Sequence, residues 1–234
     1  MDNIIAETPM PKAADELFDD FIFNFAANRK LQFERIDFPL QVYHGKQVKQ
    51  ITKNQWTMER FFMRQEFYTL IFDNAKQMKA VKDTTIDHVA IEKIYFKTNT
   101  IKEYIFERVR GQWRLTSIVH KPMQQSLNAS FLRFYHRFVT DSTFQISSVN
   151  DPLQFTGPDP DDDFSIMNGT LEPEQWSSFA PQLPSSLLYN IQYTQSYKES
   201  REKRFVIRGI ANGLETELTF KRIGNSWKLV KLSM

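Results

Sequence analysis

"FPLQV" (residues 38–42) and "DPLQF" (residues 151–155) are the two stretches from which the rest of the chain can be read. They stand 113 residues apart, and their agreement extends outward at the same offset. Phe18, Phe21 and Phe25 fall on Phe131, Phe134 and Phe138, and Gln32 falls on Gln145. Between residues 18 and 41 there are 7 identities in 24 ungapped positions. Further on, Gln55-Trp56 matches Gln175-Trp176 at an offset of 120, so the second copy has gained seven residues. Gly157-Pro158-Asp159-Pro160-Asp161-Asp162-Asp163 has the composition of a loop insertion and accounts for the gain. Near the ends the offset is 114: Glu103, Phe106, Arg108, Trp113 and Leu115 fall on Glu217, Phe220, Arg222, Trp227 and Leu229. Gly111 falls on Asn225 in the turn before each Trp, and both residue types tolerate the positive φ of a tight hairpin. Internal self-similarity of this kind predicts a tandem duplication. The repeats are residues 14–123 and 127–234, joined by Gln124-Gln125-Ser126 and preceded by a flexible lead-in, residues 1–13.

Phe18, Phe21, Ile22 and Phe25 follow the i, i+3, i+4, i+7 spacing of one helical face, and Phe131, Phe134, Tyr135 and Phe138 repeat it. Each half therefore opens with an amphipathic helix whose aromatic stripe belongs to a core. Residues 40–43 read as extended after Pro39. Thr52 to Phe62 suits a short second helix with Thr52 and Gln55 as a capping box, and Glu172 to Phe179 is its counterpart. Strands are expected at 66–72, 87–98, 100–109 and 112–121, then at 189–195, 203–211, 213–222 and 226–233. Residues 214–221 alternate cleanly between apolar and polar. In 87–98 the apolar parity flips between Ile91 and Ile94, which predicts a bulge near Glu92-Lys93. Helices set on an antiparallel sheet make the expected class α+β.

Composition narrows the function classes. The 234 residues carry 30 basic and 28 acidic side chains and no cysteine, while Phe occurs 21 times. So near-neutral a balance argues against nucleic-acid binding, and the lack of thiols excludes disulfides, thiol catalysis and cysteine-ligated zinc. No apolar run approaches the length of a membrane helix, and MDNIIAETPMPKAADE has no signal-peptide pattern. That start reads as a cytosolic N-terminus or as the stretch left when a targeting segment is removed. Seven Gly without a phosphate-binding spacing make nucleotide chemistry, and with it a cofactor, unexpected.

A Phe-rich opening helix, a short extended piece, a small helix and a strand meander ending in Trp-x-Leu resembles the nuclear-transport-factor-2-like superfamily. With Pro-Leu-Gln and Gln-Trp repeated, the chain is similar to an uncharacterised bacterial family of two such units per chain. The resemblance implies two tandem cone-like domains, each a curved antiparallel sheet wrapped around its N-terminal helix. It also implies an exported or lipid-anchored protein, periplasmic or at the outer membrane, with the cytoplasm as the alternative. The superfamily contains isomerases and dehydratases that use an Asp, His or Tyr acid–base set in the cone, and many members without catalysis.

Candidate site residues are few. His44, His88, His120 and His136 are scattered without metal-ligand spacing, and each reads first as a surface or hydrogen-bonded histidine. His44 and His120 have no histidine counterpart in the other half and are the candidates for a cone site. Arg108 and Arg222 recur; they would bind an anion if they lined the cones, or pack their stems on apolar neighbours with wet heads. Glu103 and Arg108 differ by an odd number and face opposite sides of one strand. Trp56/Trp176 and Trp113/Trp227 read as core, with stacking on a ligand as the alternative. The Asp159–Asp163 run has carboxylates for calcium but not the ligand register, so no metal is expected. Three functions stay open: a non-catalytic module for a small apolar ligand or a protein partner, an acid–base enzyme using one cone, and a structural component whose cones are filled with Phe.

Overall fold

The computed structural model describes residues 15–159, 162–193 and 199–234; the expected lead-in and the centre of the acidic run, Pro160-Asp161, lie outside them. The chain is α+β. Helix α1 (Phe18–Ala27) runs into α2 (Arg29–Arg35), and α3 (Ala129–Thr140) runs into α4 (Ser142–Ser147). The short second helix of each pair was not expected from periodicity. Its signal is the N-cap: Asn28 Oδ1 accepts from Leu31 N–H at 3.1 Å, and Asp141 Oδ1 accepts from Phe144 N–H at 2.9 Å. These two caps stand at the same offset of 113.

Among the described residues twelve strands form one sheet: β1 (Ile36–His44), β2 (Gln47–Ile51), β3 (Phe67–Phe72), β4 (His88–Tyr95), β5 (Thr100–Val109), β6 (Gln112–Pro122), β7 (Val149–Asp159), β8 (Asp162–Leu171), β9 (Leu187–Gln192), β10 (Glu202–Gly209), β11 (Glu215–Ile223) and β12 (Ser226–Ser233). Their order is β2-β1-β6-β5-β4-β9-β3-β10-β11-β12-β7-β8. The sheet is mixed, not antiparallel throughout: β1 pairs parallel with β6, β12 with β7, and β3 with β9. At the centre the halves trade a strand. β9, from the second half, lies beside β4, and β3, from the first half, lies beside β10. The two exchanges are in matching register, Glu92 opposite Asn190 and Val206 opposite Leu70.

The exchange explains the composition of the central strands. In β3, Tyr68, Leu70 and Phe72 enter the core around α1, while Ile71, pointing the other way, enters the core around α3. The sheet is thus covered on both faces near its centre, and a strand buried on both faces reads as a continuous apolar run rather than an alternation. The same geometry removes the bulge expected at Glu92-Lys93. Pairing of β4 with β5 and β9 is unbroken; Ile91 serves one core and Ile94 the other. Register shifts fall elsewhere, among them at Ile105/Phe106 and Thr219/Phe220, where β6 and β12 carry the extra residue.

Other expectations are corrected by tight local geometry. Residues 52–62 do not form an α-helix. A 3-10 turn, Lys53–Gln55, and a second, Phe61–Arg64, are separated by chain without regular structure, though Gln55 Oε1 does accept from Thr52 N–H at 3.0 Å as the capping box requires. Glu172–Gln175 repeats that bond at 2.8 Å before α5 (Trp176–Phe179). The described residues of the insertion, 157–159 and 162–163, are strand rather than loop and lengthen the β7–β8 hairpin beyond the β1–β2 hairpin. The β11–β12 turn takes its positive φ at Gly224 (60°) rather than Asn225, while β5–β6 uses Arg110 (52°) and Gly111 (78°). Among the described residues no helix is long and apolar enough to cross a membrane.

Both cores are filled with aromatic rings. Phe106 sits edge-on to Phe18 at 5.2 Å and Phe25 at 5.4 Å, and Phe220 sits edge-on to Phe131 at 5.3 Å and Phe138 at 5.5 Å. Such packing brings dispersion and edge-to-face attraction together.

Candidate functional site

Strand register decides which polar residues meet. On the face that carries α1, His44 of β1 lies opposite His120 of β6, His120 opposite Lys102 of β5, Lys102 opposite Lys93 of β4, and Lys93 opposite Tyr189 of β9. One cross-strand row thus runs His44, His120, Lys102, Lys93, Tyr189. The two imidazoles stack at 4.2 Å with planes 12° apart. Burial, then the neighbouring His44 and Lys102, pulls His120 down to about 4. It is a neutral imidazole near pH 7. Burial, with Lys93 nearby, also lowers Lys102, against the opposing pull of Glu59. For Lys93 burial acts downward but the Tyr189 hydroxyl and Glu59 outweigh it, and its pKa is raised.

The segment between the two 3-10 turns lies over this row, and a single buried side chain holds it there. Gln32 of α2 donates through Nε2 to Phe25 O (2.9 Å) and Glu59 O (2.7 Å), and its Oε1 accepts from Trp56 Nε1–H (3.1 Å) and Glu59 N–H (3.2 Å). Glu59 is thereby fixed above the sheet. Its Oε2 accepts the Tyr104 hydroxyl at 2.5 Å and lies 3.7 Å from Lys93 Nζ. Burial and the Glu59 charge both push the Tyr104 hydroxyl far above its ordinary range, so it stays a donor.

Two pockets flank Glu59. One, of about 300 Å³, is lined by Ile51, Trp56, Met58, Lys102, Tyr104 and Ile118 among others. The other, of about 260 Å³, is lined by Met58, Arg60, Phe61, Arg64, Lys93 and Tyr189. Lys93, Lys102, Arg60 and Arg64 stand against the one carboxylate of Glu59 on these walls. Among the described residues, the matching positions of the second half carry no equivalent set. By register, Lys93, Lys102 and Tyr104 correspond to Ile207, Thr216 and Leu218; by sequence offset, Glu59 corresponds to Phe179. Phe179 packs against the second core, and Trp176 Nε1 is buried without the glutamine that Trp56 has.

Of the candidates read from the sequence, His44 and His120 are brought together and the arginines are not. Arg108 donates to Thr84 O at 2.5 Å and Asp15 O at 2.6 Å with its guanidinium over Trp113, which makes it a clasp on the entry to α1. Arg222 pairs with Glu199 at 2.9 Å near the surface. Neither is among the residues that line the two pockets beside Glu59. His136 lies flat on Phe96 at 4.9 Å. The four tryptophans are buried in the cores, as expected for packing. No group of three or more metal-ligating side chains gathers among the described residues. The sequence reading missed Glu59, Tyr104, Lys93 and Lys102. The spacing Lys102-x-Tyr104 on an edge-to-core strand was a signal, but only the fold shows that Glu59 crosses it. A second missed cluster sits at the first turn of α1, where Asp19 accepts from the Tyr193 hydroxyl and lies 3.8 Å from Arg208; burial raises its pKa against those partners.

Comparisons with known proteins agree with this architecture. No curated protein matches the chain. A crystal structure of an NTF2-like protein from Bacteroides fragilis superposes with a TM-score of 0.87 at 41% identity, over 96% of this chain and 98% of that one. The model of a domain of unknown function, DUF4348, matches residues 1–234. The α+β fold with its curved sheet is that of NTF2-like proteins, and the chain belongs to the DUF4348 family.

Proposed function

We propose that this protein is a non-catalytic binding module of the bacterial cell envelope, made of two tandemly duplicated cone-like units of which the first, residues 14–123, carries the ligand site. The observation that carries the reading is the row of Lys102 and Lys93 opening onto two pockets beside one carboxylate, Glu59. Cationic walls next to Trp56, Ile51 and Ile118 suit a small molecule with an apolar body and a carboxylate. The apolar ligand expected from sequence is thereby given an anionic group. Duplication is supported by paired details that packing alone does not demand: the N-caps Asn28 and Asp141, the turn caps made by Gln55 and Gln175, and the bulges at one offset. The envelope location rests on the resemblance to exported and lipid-anchored families, and fractionation of cells that make the protein tests it separately.

The binding test is thermal unfolding with phenylacetate and hexanoate as probes. The wild type should gain a higher midpoint that rises with probe concentration, as binding to the native state alone requires. Lys102→Met should lose most of the shift. An unchanged midpoint in the wild type, or an equal shift in Lys102→Met, would reject the site and leave the filled, structural reading.

A further inference from the structure

The two pockets beside Glu59 differ in chemistry. The smaller, of about 260 Å³, brings together Arg60, Arg64 from the end of the second 3-10 turn, Lys93 from β4 and Tyr189 from the exchanged strand β9. Lys93 Nζ lies 5.2 Å from the centre of the Tyr189 ring, on the pocket side of the sheet. Burial pushes the Tyr189 hydroxyl up, so it stays a neutral donor. The backbone between the arginines is unusual. Phe61 has φ 46°, in the left-handed region that a bulky side chain rarely occupies. That conformation lets the Phe61 ring enter the core against Tyr104 at 4.8 Å, while Arg60 and Arg64 remain exposed on the pocket wall. Backbone outliers of this kind concentrate where a chain clamps a ligand.

The charges on these walls are not matched within the protein. Among the described residues neither guanidinium makes a hydrogen bond, an ion pair or a ring contact. Three cations and one carboxylate line the pocket, which leaves an excess of two positive charges facing it. The carboxylate is itself engaged elsewhere: Glu59 Oε1 accepts from Phe61 N–H at 3.2 Å and Oε2 from the Tyr104 hydroxyl, and the 3.7 Å to Lys93 is too long for a hydrogen bond. The fold does not require this set. At the offset that aligns Trp56 with Trp176, Arg60 and Arg64 fall on Ala180 and Pro184. Ile207 and Thr69, opposed across β10 and β3, stand where Lys93 and Tyr189 are opposed across β4 and β9.

We propose that this pocket holds the phosphate group of a phosphate monoester, gripped by Arg60, Arg64 and Lys93 with the Tyr189 hydroxyl as a fourth donor. The dianion matches the excess of two positive charges, and the planar fork of each guanidinium fits a pair of phosphate oxygens. A carboxylate would bring one charge and leave a cation unmatched. The organic part rests on Met58, which this pocket shares with the Trp56 pocket. Carboxylate binding in the Trp56 pocket depends on Lys102 and is a separate matter from this subsite.

The test is calorimetric titration of the intact protein with phenyl phosphate at pH 8, where the probe is a dianion. Saturable one-to-one binding is expected, several-fold tighter than that of inorganic phosphate. The double variant Arg60→Gln/Arg64→Gln should lose roughly tenfold or more in affinity, as two charge-assisted contacts disappear. Lys76→Gln/Lys79→Gln, an equal change of charge at exposed positions outside the pocket, should lose less than about twofold. Glu59→Gln, which removes the competing carboxylate, should bind more tightly, a gain that a damaged fold would not give. No saturable binding by the wild type, equal losses in the two double variants, or weaker binding in Glu59→Gln would each overturn the proposal. Equal affinity for inorganic phosphate would overturn it in favour of the free anion. Phenylacetate is titrated into the same samples: a response to it with none to phenyl phosphate overturns this subsite and leaves the carboxylate reading standing, and the reverse result leaves the subsite standing without it.

Discussion

Replacing Glu92 by Gln should stabilise the protein above neutral pH and leave it nearly unchanged in acid. Glu92 is fully enclosed between β5 and β9, and its pKa rises from 4.5 to about 7, first through burial and then through Glu103. At about 1.4 kcal/mol per pH unit, that difference puts a penalty of about 3 kcal/mol on the ionised form in the native state. The sign follows from proton linkage. The native state holds a proton that the unfolded chain has already released, so stability is complete below pH 4.5, falls as pH rises through the interval to about 7, and is flat beyond it. A glutamine keeps the shape, accepts from Asn190 through Oε1 and offers Glu103 a donor, without the charge. Urea unfolding followed by circular dichroism at pH 5, 6, 7 and 8 would give both curves. The difference between variant and wild type should grow from about 1 kcal/mol or less at pH 5 to about 3 kcal/mol at pH 8. Parallel curves, or a variant less stable at pH 8, would refute the argument, because other titrating groups contribute to both proteins alike.

Two further outcomes rest on the packing. Gln32→Ala removes the partner of four hydrogen bonds and strands the Trp56 and Glu59 N–H groups, so it should cost about 2–4 kcal/mol and weaken probe binding at the cone mouth, whereas Gln145→Ala, at the half-exposed counterpart, should cost less than about 0.5 kcal/mol in the same denaturation assay. Cleavage within Gln124–Ser126 should leave two fragments that elute together on size exclusion, since β3–β10 and β4–β9 pair across the cut; separate folded monomers would contradict the strand exchange.

The near-repeat at Pro39 and Pro152, the Phe stripes at 3.6-residue period and the alternation in β11 were legible because each depends on neighbours close in sequence. A helical face or a strand face is fixed by local geometry and by what must avoid water. The same locality explains the failures. Ile91 and Ile94 look like a slipped strand only if the sheet has one buried face. Residues 157–163 look like a loop only if the hairpin ends where its counterpart does. The α2 and α4 helices are too short for a periodic signal, and only their Asn and Asp caps mark them.

What the sequence by itself determined is the kind of element where the local pattern is strong, in the helices α1 and α3 and in strands such as β11, because backbone preference and hydrophobic period act within a few residues. Only the tertiary structure decided which half owns a strand and which polar groups meet. His44 and His120 are 76 residues apart in the chain, and Glu92 and Asn190 are 98 apart. Such pairs are made by register across strands and by the exchange of β3 and β9, which are free-energy choices of the whole sheet. The first pair borders the lysine row and the second joins β4 to the exchanged strand β9, so both exist only at the level of the assembled sheet.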